Sequence, residues 1–166
     1  VQQIPANDKL AKFVSVVLAD TEDVGRERFQ AIGKEYRDPK LVLFRGSTPT
    51  PCGKGKSAMG PFYCPADQKV YIDLTFYQEL KSSYRAPGDF AQAYVIGHEV
   101  GHHVQNLLGT MRKLRQQQEG KDESASNALS VKLELQADCY AGVWAHHAHK
   151  QRQVLEEGDI EEAMTA

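Results

Sequence analysis

The chain of 166 residues reads as one α+β domain spanning residues 1–166, built on a small β-sheet and a few longer helices. Three observations predict this class. Apolar residues recur at helical spacing over about 7–36, 87–109 and 128–150, and short β-branched and aromatic runs bounded by Pro, Gly and Asp fall at about 40–45 and 61–73. The composition, 41% apolar and 25% charged, is that of an ordinary domain with a real core.

Taken in order, Leu10, Phe13, Val14, Val17 and Leu18 mark one face of a first helix, and Asp20-Thr21 predicts a break into two pieces. Lys40 to Arg45 reads as a strand. A Gly/Pro-rich stretch, Gly53 to Tyr63, follows between Cys52 and Cys64. A Cys52–Cys64 disulfide would stabilise that loop by roughly 3 kcal/mol in an oxidising compartment, whereas a reducing one would leave two free thiols. Residues 61–73 read as strand, turn, strand, and Leu74 to Tyr84 as a short helix. No internal repeat or low-complexity segment is visible.

Pro87-Gly88-Asp89 and Gly109 bracket the next helix. It is apolar on two sides and is expected to run through the middle of the molecule. Gly97 and Gly101 each cost about 1 kcal/mol relative to Ala in a helix interior, so a close approach by another element is expected there. In the last helix, Leu133, Ala137, Tyr140, Ala141 and Trp144 form a core stripe, with Glu134 and Asp138 on its rim facing the previous helix.

Net charge of −2 and the scatter of Lys and Arg leave no basic stripe, so nucleic acid is not an expected partner. The longest apolar runs fall far short of the ~18 residues that cross a bilayer. The chain begins at Val1, and any signal or anchor is expected in a segment upstream of it.

The chemistry concentrates at His98-Glu-Val-Gly-His102, an HExxH segment. On a helix each residue advances about 100°, so the two imidazoles lie roughly 40° apart and one turn along, able to share one ion. Glu99 lies to one side, placed to reach a water on that ion. The plain alternative is a satisfied histidine pair with no ligand. A catalytic zinc takes three protein ligands and keeps one position open, so a third ligand is required. Glu134 is the first choice, with Asp138 one turn on accepting the free ring N–H of a ligand histidine. Asp138 as the ligand, or both carboxylates as a solvated helix face, are the alternatives.

Other candidates fit less well. His146, His147 and His149 lie roughly 18 to 22 Å beyond Glu134 along a continuous helix and read as surface residues. His103 points away from the ligand face and reads as structural. Tyr94 and Tyr140 are weak candidates for stabilising an oxyanion. The chemistry expected is hydrolysis of a peptide bond, with Glu99 as general base and one zinc ion per chain held by His98, His102 and Glu134.

The blocks Gly97-His-Glu-Val-Gly-His-His-Val-Gln105, Leu133-Glu-Leu-Gln-Ala-Asp-Cys-Tyr-Ala-Gly-Val-Trp144 and Met59-Gly-Pro-Phe-Tyr-Cys-Pro-Ala-Asp67 closely resemble the bacterial putative neutral zinc metallopeptidase family, from about Asn7 onward. The resemblance implies a zincin-like catalytic domain with His98, His102 and Glu134 on zinc and Glu99 as base. It also implies a cell-envelope protein, periplasmic or extracellular, held by an N-terminal membrane anchor outside this chain, a setting that supports the Cys52–Cys64 bridge. The family's C-terminal segment, with a His-Gly-Thr motif and a further cysteine, is not in this chain. That segment is expected to supply an oxyanion donor and a partner for Cys139, which faces away from the core.

The expected partner is a peptide or protein substrate, lying extended along the edge of the strand Lys69–Asp73. Two rivals remain: a non-catalytic envelope binding or scaffold module with a structural zinc, and a zinc hydrolase acting on non-peptide amides.

Overall fold

The first helix, α1 (Lys9–Ala31), starts where the Asp8 carboxylate accepts the backbone N–H groups of Leu10 and Ala11 at 2.9 and 3.1 Å. It belongs to a computed structural model that describes residues 8–56, 60–76, 78, 89–152, 160 and 163–164. The expected break at Asp20-Thr21 does not occur. Thr21 Oγ1 donates to the Leu18 carbonyl and Asp20 accepts the indole N–H of Trp144, so both polar side chains are satisfied while the helix continues past them. The helix ends at Ala31, short of the expected Tyr36, because Gly33 turns the backbone left-handed at φ 69°. Tyr36 then folds back as a buried residue over Gly25, where an added Cβ would stand 2.7 Å from the tyrosine ring.

Five strands follow among the described residues: β1 (Lys40–Phe44), β2 (Ser47–Thr50), β3 (Gly53–Lys56), β4 (Phe62–Cys64) and β5 (Lys69–Asp73). β2 and β3 form an antiparallel hairpin in the stretch read from sequence as a loop. Its tip carries Cys52, and the Cys52–Cys64 disulfide staples the hairpin to β4. The other three strands form a sheet of order β1-β5-β4, with β1 parallel and β4 antiparallel to β5.

This order corrects the expectation that Lys69–Asp73 offers an edge to substrate. β5 is central, hydrogen-bonded on both sides, with Val70, Ile72 and Asp73 fully buried. Its near-continuous apolar run is that of a strand covered on both faces. Residues 74–76 are helical, and the remainder of the helix expected to reach Tyr84 lies outside the described residues apart from residue 78, which is also helical. So do Pro87 and Gly88, expected to open the next helix.

Three long helices follow among the described residues: α2 (Asp89–Leu107), α3 (Thr110–Gln118) and α4 (Glu123–Arg152). α2 runs through the core as expected, with Ile96 fully buried and Val100 nearly so, among side chains from α1, the sheet and α4. α3, not foreseen from sequence, starts after Gly109 turns left-handed at φ 76°. α4 is longer than the expected 128–150, beginning where Asp122 caps Ala125. α2 and α4 meet at the two glycines. A Cβ on Gly101 would lie 2.8 Å from the Ala137 carbonyl oxygen, and one on Gly97 would lie 3.0 Å from the Trp144 ring. Among the described residues, no helix is long and apolar enough to cross a membrane.

Candidate metal centre

The α2–α4 contact decides what the helices carry past each other. With Gly101 seated on the Ala137 backbone, the turn of α4 before Ala137 is drawn against the turn of α2 holding His98 and His102. Glu134 Oε2 lies 3.0 Å from His98 Nε2 and 3.3 Å from His102 Nε2. One ligand atom from each of the three residues falls within 4.8 Å of the others. Thus the two histidines and Glu134, which follows His102 by 32 positions in sequence, meet at one point.

The other ring nitrogens are committed. His98 Nδ1 lies 2.8 Å from Asp138 Oδ1, so this ring donates to Asp138. His102 Nδ1 lies 2.8 Å from Gln105 Oε1, a partner the sequence reading missed. Gln105 falls about −20° from His98 on the helical wheel, so a buried polar side chain on the ligand face was there to be found. With both Nδ1–H groups donating outward, both Nε2 atoms face a carboxylate oxygen. Such a cluster is relieved either by protonating the imidazoles or by a cation, and two imidazoles with one carboxylate are a donor set that suits zinc. The residues fit the ion.

Glu99 is buried beside this cluster, and its carboxyl is pushed up to about 8. Burial is the main cause and the charge of Glu134 adds to it, while the Tyr63 backbone N–H on β4 pulls the other way. The Glu134 side chain, by contrast, is 56% exposed, so the cluster has a buried floor and a solvent-facing side.

His103 is structural, as expected. Its Nε2–H donates to the Arg37 carbonyl at 2.6 Å, which leaves Nδ1 to accept the Tyr63 hydroxyl at 2.8 Å, and that hydroxyl accepts from Asn106 Nδ2 at 2.9 Å. This chain holds β4 against α2. Burial, the largest influence, lowers the His103 pKa. The Tyr94 hydroxyl donates to the Asp138 carbonyl at 3.2 Å. Tyr140 lines an apolar cavity of about 340 Å³ between α1, α2 and α4, together with Val24, Gly97 and Val104. His146 and His149 are exposed and His147 half-buried, near the end of α4, and Cys139 is an exposed free thiol.

An HExxH helix crossed by a second helix whose glutamate meets both histidines defines a candidate metal centre of the kind found in zinc hydrolases. The chain belongs to the family described as Putative neutral zinc metallopeptidase, which it matches over residues 1–166. It is 58% identical to "Uncharacterized protein YpfJ" of Escherichia coli K12 over 162 residues, which cover 98% of this chain and 56% of the relative. It is 43% identical to "Uncharacterized protein Rv2575" of Mycobacterium tuberculosis H37Rv over 141 residues, covering 79% of this chain and 46% of that protein. The chain thus spans about half the length of the curated relatives it matches. No solved structure matches it.

Proposed function

We propose that the protein is a zinc-dependent endopeptidase of zincin-like build, with His98, His102 and Glu134 holding one ion and Glu99 as general base. The observation that carries this reading is the meeting of two Nε2 atoms and one carboxylate oxygen while both Nδ1 atoms are bound elsewhere. Zinc held there would lower the pKa of a water toward about 7 and polarise the scissile carbonyl. Glu99 would accept a proton from the attacking water and would hand it to the leaving amine as the C–N bond breaks. In the metal-free site burial raises the pKa of the Glu99 carboxyl, which marks it as a candidate for proton transfer.

Substrate is proposed to lie along β4, not β5. β4 pairs with β5 along one edge and directs the Tyr63 backbone toward Glu99, so a peptide added beside it would pass over the general base. A location outside the cytoplasm, in the cell envelope, is supported by the Cys52–Cys64 disulfide. The rival reading, a scaffold with a structural zinc, calls for a site closed by four protein ligands, and the exposed Glu134 side of the three-residue cluster found among the described residues favours the enzyme.

The test is a peptide-library digest with the zinc-loaded protein and with Glu99→Gln. Cleavage by the wild type, lost in E99Q with zinc still bound at one ion per chain, is the expected result. Equal cleavage by both proteins would remove Glu99 from the mechanism.

A further inference from the structure

Gln105 is fully buried on α2, and each end of its amide has an assigned partner. Its Nε2 donates to the Leu133 carbonyl at 2.8 Å and to Gln136 Oε1 at 3.0 Å, both on α4. Its Oε1 faces His102 Nδ1 at 2.8 Å. A backbone carbonyl can only accept, so the nitrogen end of the amide must point to α4 and the oxygen end to His102. The oxygen in turn can only accept, so His102 Nδ1 must carry a proton. In the neutral ring, Nε2 is then left with its lone pair directed at Glu134.

We infer that Gln105 is a positioning residue that keeps His102 ready for a metal: its amide ties the ring to the α4 backbone beside Glu134 and selects the Nδ1–H tautomer. Free imidazole side chains in water favour the opposite tautomer, with the proton on Nε2, which would block the ligand atom. The same amide also sets the distance between helices, because Leu133 immediately precedes Glu134. One side chain therefore fixes both the direction of His102 and the approach of Glu134. Burial removes water as a competing partner for any of these bonds, so the amide cannot reverse without leaving a buried carbonyl facing an oxygen. Asp138, on α4, likewise faces His98 Nδ1 at 2.8 Å.

The metal part of this inference rests on the proposed zinc site, but the tautomer part does not, and the test keeps them apart. The histidine ring nitrogens of chelator-treated, ¹⁵N-labelled protein are read by two-bond ¹H–¹⁵N correlation along a pH series, at its alkaline plateau. The wild type is expected to show His102 as the Nδ1–H tautomer. Gln105→Met, close in size but a poor acceptor, is expected to return His102 to the Nε2–H form and to raise the zinc dissociation constant about 10- to 100-fold. Gln105→Glu keeps an acceptor for the ring and is expected to retain Nδ1–H. A wild-type Nε2–H tautomer, or a Gln105→Met protein with Nδ1–H and unchanged zinc affinity, would overturn the inference. If Gln105→Met fails to fold, the wild-type spectrum and Gln105→Glu still decide it. A wild-type protein with the Nδ1–H tautomer that binds no zinc upholds the role of Gln105 and removes the metal reading alone.

Discussion

Asp138 Oδ1 stands 2.8 Å from His98 Nδ1, so the residue one turn after Glu134 on α4 orients the histidine that Glu134 meets on α2. Two carboxylates at i and i+4 thus address the two nitrogens of one ring. Removing the outer one should loosen the site without removing a ligand. Asp138→Ala is expected to weaken zinc binding about 10- to 100-fold, and Asp138→Asn, which keeps an acceptor, less. Competition against a chromophoric chelator measures both, and unchanged affinity in the alanine variant would show that Asp138 does not orient the ring.

Glu99 makes the metal-free protein sensitive to alkali. Burial pushes its carboxyl up to about 8, above the ordinary value of about 4.5, so the folded state keeps a proton that the unfolded state releases. The destabilisation is absent below the lower value, grows as pH rises between the two and is complete above the higher. In chelator-treated protein, the stability advantage of Glu99→Gln over wild type is therefore expected to be larger at about pH 8 than at about pH 5. Urea titrations at both pH values check this, and a pH-independent difference would contradict it.

Gly101→Ala gains the helix propensity of alanine but drives a methyl group to 2.8 Å from the Ala137 carbonyl oxygen, a backbone atom that can move only with α4. Overpacking of this kind costs roughly 1–3 kcal/mol and outweighs the ~1 kcal/mol propensity gain. Chemical denaturation should show net destabilisation, together with weaker zinc binding because Glu134 moves with the helix. A more stable variant would mean that the glycine is not there for contact.

The Cys52–Cys64 bridge closes a loop with a sequence separation of 12 and joins the β2–β3 hairpin to β4. Cys52→Ser with Cys64→Ser is expected to cost about 3 kcal/mol, seen as a lower melting temperature than the oxidised wild type. Identical melting of the two would show that the hairpin holds without it.

Much of the site was legible because helical geometry is local. The spacing of His98, Glu99 and His102, and of Glu134 and Asp138, sets their directions from backbone geometry alone, and the glycines announced the close contact that brings the two sets together. What escaped depended on distant partners. α1 runs unbroken because Asp20 finds Trp144, 124 residues away, and no local rule reports that bond. β2 and β3 are built of Ser, Thr, Pro, Gly and Lys, and their Pro, Gly and Lys weaken the strand preference that the two threonines carry. The unbroken apolar run of β5, Val70 to Ile72, describes a covered strand and argues against an edge. Gln105 lay within reach of the same helical arithmetic that found the ligands.

The account turns on whether an ion sits where the two Nε2 atoms meet the Glu134 carboxylate. X-ray absorption at the zinc edge on the loaded protein tests this most directly. The expected spectrum is that of one zinc per chain with only nitrogen and oxygen neighbours, at about 2.0–2.2 Å, two of them imidazole. A sulfur neighbour, or failure to retain zinc in wild type while Glu134→Ala behaves identically, would contradict the site.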